Sequence, residues 1–84
     1  MVHKHKTPID SGKDVHGQYA NCFKVGYNAF EFVIDFCQYF KENEETKLYT
    51  RIITSPTYAK DLLELLHEAI TSYEQSIGVI HAKD

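Results

Sequence analysis

Three stretches rich in β-branched and aromatic residues are followed along the chain by one stretch with helical periodicity. The first three stretches, residues 18–26, 29–40 and 47–54, predict strands. From Ala59 to Ile77 apolar residues recur at spacings of three and four, which predicts one long amphipathic helix. The apolar positions of this helix are Ala59, Leu62, Leu63, Leu66, Ala69, Ile70, Tyr73 and Ile77. This order predicts an α+β fold, a three-stranded antiparallel meander followed by one long C-terminal helix (βββα) that packs across one face of the sheet.

The two ends of the predicted helix carry capping signals. Ser55 is an N-cap residue, and Pro56 suits the first helical position because its missing N–H would be unpaired there. Gly78 is a natural residue just beyond the C-terminus. The helix is therefore predicted to run from Pro56 to about Ile77.

The break between the first two strands predicts a tight hairpin in which Gly26 and Asn28 tolerate positive φ. Val25 would then face Phe30, and a charged loop at residues 41–47 would lead to the third strand. This register collects apolar residues on one face, which are Phe23, Val25, Phe30, Phe32, Ile34 and Phe36. The third strand continues that face with Leu48, Thr50, Ile52 and Thr54.

The other face of the predicted sheet has an Asp35–Arg51 pair among apolar and aromatic residues, which are Ala20, Cys22, Val33, Cys37, Tyr39, Tyr49 and Ile53. The pair could serve catalysis or an interface. A catalytic site needs a cleft, which three strands and one helix scarcely provide, whereas an interface needs only a second copy. The pattern therefore predicts a homodimer with an interface formed by Val33, Asp35, Tyr39, Tyr49, Arg51 and Ile53.

The length and composition predict one small domain. Residues 1–15 are polar and aperiodic and predict a disordered arm, residues 16–80 form the βββα domain, and residues 81–84 form a tail. A domain of 84 residues buries only about 60 to 65% of the surface that its unfolded chain exposes. Such domains usually need a disulfide, a metal or a partner subunit, and a partner is the supplement that this sequence favours.

Cys22 and Cys37 are the two cysteines of the chain, and no signal-peptide pattern precedes them. The chain is therefore expected to be cytoplasmic, with both thiols reduced. The predicted register places Cys22 opposite Val33 and Cys37 near Gln18, which is too distant for a disulfide. No apolar run approaches the ~20 residues that a membrane-spanning helix needs.

Histidines are the main candidates for metal or acid–base chemistry. His3, His5 and His16 could share a metal ion, but they lie on the predicted arm without an accompanying cysteine or carboxylate at a structural-site spacing. His67 could act as a general acid or base, but no nucleophile accompanies it, and Glu64 nearby favours a surface position. We expect no catalytic residue, no metal and no cofactor.

The formal net charge of −3 disfavours nucleic-acid binding, which normally leaves a basic stripe on the protein. An alternative function is a small nucleic-acid-associated regulator that uses Lys4, Lys6 and Lys13 of the arm on phosphates.

A wider set of short motifs resembles a known family. These are Tyr19-Ala20-Asn21, Phe30-Glu31-Phe32, Asp35-Phe36, Thr50-Arg51-Ile52, Ser55-Pro56, Ala59-Lys60, Leu62-Leu63, Tyr73-Glu74 and Gly78. Their combination, over residues 19–80, resembles the domain-of-unknown-function 3467 family of short bacterial and archaeal proteins. The resemblance implies no activity, because the family has none assigned. The sequence as a whole favours a non-enzymatic, homo-oligomeric assembly or protein-interaction module.

Overall fold

The computed structural model describes residues 15–82. It contains strands β1 (Cys22–Tyr27), β2 (Phe32–Phe40) and β3 (Glu45–Thr54), followed by helix α1 (Pro56–Ser76). The strands form one antiparallel sheet in the order β1-β2-β3, so the predicted βββα fold is confirmed. The predicted arm lies outside the described residues except for Val15, and so do the last two residues of the predicted tail.

The hairpin between β1 and β2 is organised by Asn28. The Asn28 Oδ1 accepts hydrogen bonds from the backbone N–H groups of Phe30 (2.8 Å) and Glu31 (3.0 Å), and the Asn28 N–H donates to the Glu31 carbonyl (3.0 Å). These bonds hold residues 28–31 as a loop, and Asn28 does not have positive φ. The predicted tight turn is wrong because the asparagine side chain satisfies the turn donors over a longer loop.

The longer loop changes the pairing of β1 with β2. Val25 lies opposite Ile34 and Phe23 lies opposite Phe36, whereas Phe30 lies outside the sheet and is 85% exposed. The predicted register is therefore wrong by four residues of β2, but an even shift leaves the paired side chains of β1 and β2 on their predicted faces. We call this surface the phenylalanine face, which comprises Phe23, Val25, Tyr27, Phe32, Ile34, Phe36, Thr50, Ile52 and Thr54.

A β-bulge interrupts the pairing of β2 with β3. Phe36 lies opposite Thr50 and Cys37 lies opposite Leu48, so Tyr49 is an extra residue between them. One extra residue reverses the alternation of β3 beyond it, and the predicted faces of Leu48 and Tyr49 are both wrong for this reason. We call the opposite surface the cysteine face, which comprises Cys22, Lys24, Gly26, Val33, Asp35, Cys37, Tyr39, Thr46, Leu48, Arg51 and Ile53.

Helix α1 begins and ends with the predicted capping residues. The Ser55 Oγ accepts a hydrogen bond from the Tyr58 backbone N–H (3.2 Å), and Pro56 occupies the first turn. Ile77 is the C-cap, and Gly78 follows it with a positive φ. The apolar positions listed in the sequence analysis form one side of this helix, which we call the helix stripe.

The prediction that the helix packs across the sheet is wrong. Helix and sheet make almost no contact, and the one buried apolar side chain within residues 15–82 is that of Cys37, at 2% exposure. On the helix stripe Leu66 is 54% exposed, and on the phenylalanine face Phe23 is 57% exposed. The helix lies away from the sheet because the connection is short. Ser55 alone separates β3 from α1, and one residue is shorter than the connections of about two to six residues that usually let a helix turn back over its sheet.

Candidate interaction surfaces

The Asp35–Arg51 pair predicted from the sequence is present on the cysteine face. The two residues are direct partners on β2 and β3, and the Arg51 Nε and Nη2 donate to Asp35 Oδ1 (2.7 Å) and Oδ2 (2.9 Å). The Asp35 side chain is 12% exposed and that of Arg51 is 57% exposed. This two-pronged geometry suits a fixed ion pair because the guanidinium matches both carboxylate oxygens.

The ion pair stabilises the charged form of both groups. The hydrogen bonds from Arg51 hold the pKa of the Asp35 carboxyl below its ordinary value, although partial burial acts in the opposite direction. The hydrogen bonds and the negative charge of Asp35 raise the pKa of Arg51 above its ordinary value. Neither group is therefore tuned toward neutral pH, as a general acid or base would be.

The structure places five of the six predicted interface residues on the cysteine face, namely Val33, Asp35, Tyr39, Arg51 and Ile53. Tyr49 is the exception. The Tyr49 hydroxyl donates to Gln38 Oε1 (3.1 Å), and the Lys47 Nζ lies 5.7 Å from the centroid of its ring. Gln38 and Lys47 are direct partners on the same side of the sheet as Phe36, so Tyr49 belongs with the phenylalanine face.

Asn21 extends the sheet beyond the first residue of β1. Its Nδ2 donates to the Tyr39 carbonyl (3.2 Å), its Oδ1 accepts from the Tyr39 N–H (2.7 Å), and its backbone N–H donates to the Cys37 carbonyl (3.1 Å). The side-chain amide thus replaces a neighbouring strand at this edge. Sequence reasoning missed this role, although an asparagine immediately before a strand is a residue that often bonds to the backbone.

The two cysteines face each other across β1 and β2, contrary to the predicted separation. Cys22 is the direct partner of Cys37, and both are free thiols. Direct partners in an antiparallel pair have Cα atoms about 4.5 to 5.5 Å apart, and a disulfide needs roughly 4.4 to 6.8 Å. The predicted separation is wrong because it depended on the tight hairpin.

His16 lies beside the phenylalanine face. It lines a shallow depression of about 330 Å³ together with Gln18, Ala20, Phe36, Tyr49, Thr50 and Ile52. His3 and His5, its predicted companions, lie outside the described residues. Over residues 15–82, no group of three or more His, Cys, Asp or Glu side chains is placed to hold a metal ion.

His67 lies on α1 beside a second depression, of about 460 Å³. Its described lining consists of Leu63, Glu64, His67 and Glu68, which are all on the helix. These residues provide an imidazole and two carboxylates but no hydroxyl or thiol. The described lining therefore contains no hydroxyl or thiol nucleophile for His67 to activate.

Two apolar surfaces are exposed in the same chain. On the phenylalanine face the rings of Phe23 and Phe36 meet edge to face at 5.8 Å, yet Val25 beside them is 61% exposed. On the helix stripe Leu62 and Tyr73 are 46% and 45% exposed. Soluble monomers rarely expose contiguous apolar patches larger than a few hundred Å². Both surfaces are therefore candidate interaction sites.

Comparison with known proteins identifies a family. Residues 4–82 match the family model described as "Protein of unknown function (DUF3467)". Neither the curated proteins nor the solved structures provide a match. Among the described residues, no helix combines the length and the apolar content needed to cross a membrane.

Proposed function

The chain belongs to the DUF3467 family of unknown function, and we propose that it acts as a non-enzymatic, homodimeric module that contacts other proteins. The observation that supports this proposal is that the helix stripe and the phenylalanine face are both exposed within one chain. A domain whose described part buries one apolar side chain lacks the hydrophobic burial that normally offsets chain entropy.

The sequence predicts a homodimer interface on the cysteine face, but the helix stripe and the phenylalanine face are the more apolar surfaces, so we assign the dimer to them and the cysteine face to a protein partner. The cysteine face combines the apolar side chains of Val33 and Ile53 with the Asp35–Arg51 ion pair. Such a mixture is typical of non-obligate interfaces, which are about as polar as the rest of a protein surface. The fixed charges of the ion pair support a non-enzymatic role.

Light scattering coupled to size-exclusion chromatography tests the homodimer. We expect the full chain at micromolar concentration to have about twice the mass of one 9.7 kDa chain. Leu66→Glu should abolish the dimer, because it places a charge in the helix stripe. Thr71→Glu is the matched control, because Thr71 is exposed on the opposite side of the same helix. A folded native chain with the mass of a monomer would contradict the proposal, and a Leu66→Glu variant that remains dimeric would show that the helix stripe does not form the interface.

A further inference from the structure

We propose that the two copies of the homodimer exchange helices, so that α1 of one copy packs its helix stripe on the phenylalanine face of the other. This inference rests on the proposed homodimer and specifies how it is built. Each chain then provides one helix and one sheet face, and the two contacts are equivalent by two-fold symmetry.

The connection between sheet and helix disfavours the alternative in which α1 covers its own sheet. β3 ends at Thr54 and α1 begins at Pro56, so Ser55 is the complete connection. The two residue steps from Thr54 to Pro56 span at most ~7 Å, which is less than the ~10 Å that separates packed layers of secondary structure. A second copy has no such restriction, because its helix approaches the face from outside.

The dimensions of the two surfaces match. The helix stripe from Leu62 to Tyr73 is about 16 Å long at 1.5 Å per residue, and the phenylalanine face from Phe32 to Phe36 is about 13 Å long. Three strands spaced about 4.8 Å apart are about as wide as one helix with its side chains, at ~10 Å. One helix is therefore large enough to cover one phenylalanine face. In a reciprocal pair of chains, both helices and both faces are then covered, and no further copy is needed.

The chemistry of the sheet selects the phenylalanine face over the cysteine face. The nine residues that define the phenylalanine face include no charged side chain, and their polar members are Thr50, Thr54 and Tyr27. Tyr49 adjoins this face at the bulge, and Lys47 lies further along the same side, beyond Thr50. The cysteine face includes Asp35 and Arg51, whose charges would be expensive to bury beneath leucines. The helix stripe is uncharged as well, so it is complementary to the phenylalanine face.

A longer connection tests the exchange directly. We would insert about six Gly/Ser residues between Thr54 and Ser55, because a flexible linker of that length spans roughly 13 Å and can cross the distance between packed layers. The helix should then cover its own sheet, because the effective concentration of a tethered helix is about millimolar. We expect the inserted protein to be a folded monomer at low micromolar concentration in light scattering.

The matched control carries the same insertion in the loop at residues 41–44, which joins β2 to β3 and leaves the helix connection unchanged. This control should remain a dimer. A linker variant between Thr54 and Ser55 that dimerises as tightly as the native chain would overturn the exchange. Such a dimer would be held by helix–helix or sheet–sheet contacts, and the proposed homodimer itself would stand.

Cysteine cross-linking gives a second readout. In a background with Cys22→Ala and Cys37→Ala, chains carrying Ile34→Cys are mixed with chains of different mass carrying Leu66→Cys, then refolded together and oxidised. The exchange predicts a mixed covalent dimer. Thr71→Cys in place of Leu66→Cys is the control, and it should give little mixed product because its side chain points away from the stripe.

The remaining outcomes separate the two proposals. Leu66→Cys chains that link only to one another would indicate a helix–helix dimer, and an internal link in a chain carrying both Ile34→Cys and Leu66→Cys would indicate a helix folded onto its own sheet. Both results overturn the exchange. A native chain that is monomeric in light scattering overturns the homodimer and the exchange together. If the background fails to dimerise, the linker insertion decides alone.

Discussion

Cys22 and Cys37 are direct partners on β1 and β2, and the Cys37 side chain is almost completely buried. Their thiols are free in this structure. Direct antiparallel partners have Cα atoms about 4.5 to 5.5 Å apart. A disulfide between Cys22 and Cys37 could therefore form without a rearrangement of the two strands. The pair is thus a latent cross-link between the two strands that the Asn28 loop joins.

Mild oxidation of the folded protein should form this disulfide within one chain. Treatment with diamide, followed by alkylation in denaturant, should leave both thiols unmodified and lower the intact mass by two hydrogens. Cys22→Ser is the control, because it removes one partner. Two alkylated thiols after oxidation of the native protein would show that the strands are not paired in this register.

Removal of the helix N-cap should destabilise the protein. Ser55→Ala deletes the acceptor of the Tyr58 N–H and should lower the free energy of unfolding by about 1 kcal/mol, within the ~0.5 to 2 kcal/mol typical of lost caps. Urea melts at one fixed protein concentration would measure the change, because the stability of a dimer depends on concentration. Ser72→Ala, within the same helix, should have no destabilising effect, and equal losses for both variants would contradict the capping role.

Replacement of Asp35 should change how stability depends on acid pH. The folded state holds the pKa of Asp35 below its ordinary value, so the unfolded chain binds a proton first as the pH falls. The contribution of Asp35 is therefore complete above the ordinary aspartate pKa of about 3.9 and disappears as the pH falls through the lower folded-state value. Asp35→Asn should be less stable than the native protein near neutral pH. Its urea midpoint should also decrease less than that of the native protein as the pH falls into the acid range. Arg51→Gln should reproduce both effects, and an unchanged acid decline in Asp35→Asn would contradict the role of the pair.

Loss of the Asn21 side chain should loosen the end of β2. Asn21→Ala removes two hydrogen bonds to the Tyr39 backbone, each worth about 0.5 to 1.5 kcal/mol. Hydrogen exchange at the Tyr39 amide should accelerate. Asn43→Ala is the control, because the Asn43 side chain bonds to the Glu45 carboxylate rather than to the backbone. Unchanged protection of Tyr39 in Asn21→Ala would show that water or another group replaces the amide.

The net charge of −3 predicts that the protein does not bind DNA or RNA specifically. Fluorescence anisotropy with mixed duplex and single-stranded oligonucleotides at about 150 mM salt would measure binding, before and after deletion of residues 1–15. Any binding should be weak, salt-sensitive and lost with the deletion, because the candidate contacts are Lys4, Lys6 and Lys13. Submicromolar binding that survives the deletion would favour the nucleic-acid-associated regulator instead.

Local signals in the sequence were enough to predict the elements and the shared face of Asp35 and Arg51. Ser55 and Pro56 mark the helix start, and the alternation of residues in β1 and β2 places the phenylalanines on one face. Alternation also places Asp35 and Arg51 on the same face, and an even shift of register leaves the face unchanged. The register of β2 with β3 then makes the two residues direct partners.

The remaining features depend on geometry that alternation does not encode. The partner of Cys22 depends on the length of the loop that Asn28 closes, and the faces of Leu48 and Tyr49 depend on one unpaired residue at the bulge. The position of α1 depends on a connection of one residue. Apolar periodicity shows that a helix needs a partner surface, but it does not show which chain provides that surface.

In the proposed exchange, the short connection at Ser55 also makes folding a bimolecular event. A chain that covers its sheet only with the helix of a second copy has a folded fraction that rises with its own abundance. At low expression the nascent chain would expose its helix stripe and its phenylalanine face to chaperones and proteases, and at higher expression the same chain would be protected. The amount of folded dimer would therefore rise steeply above a threshold concentration of the chain, rather than in proportion to the rate of synthesis.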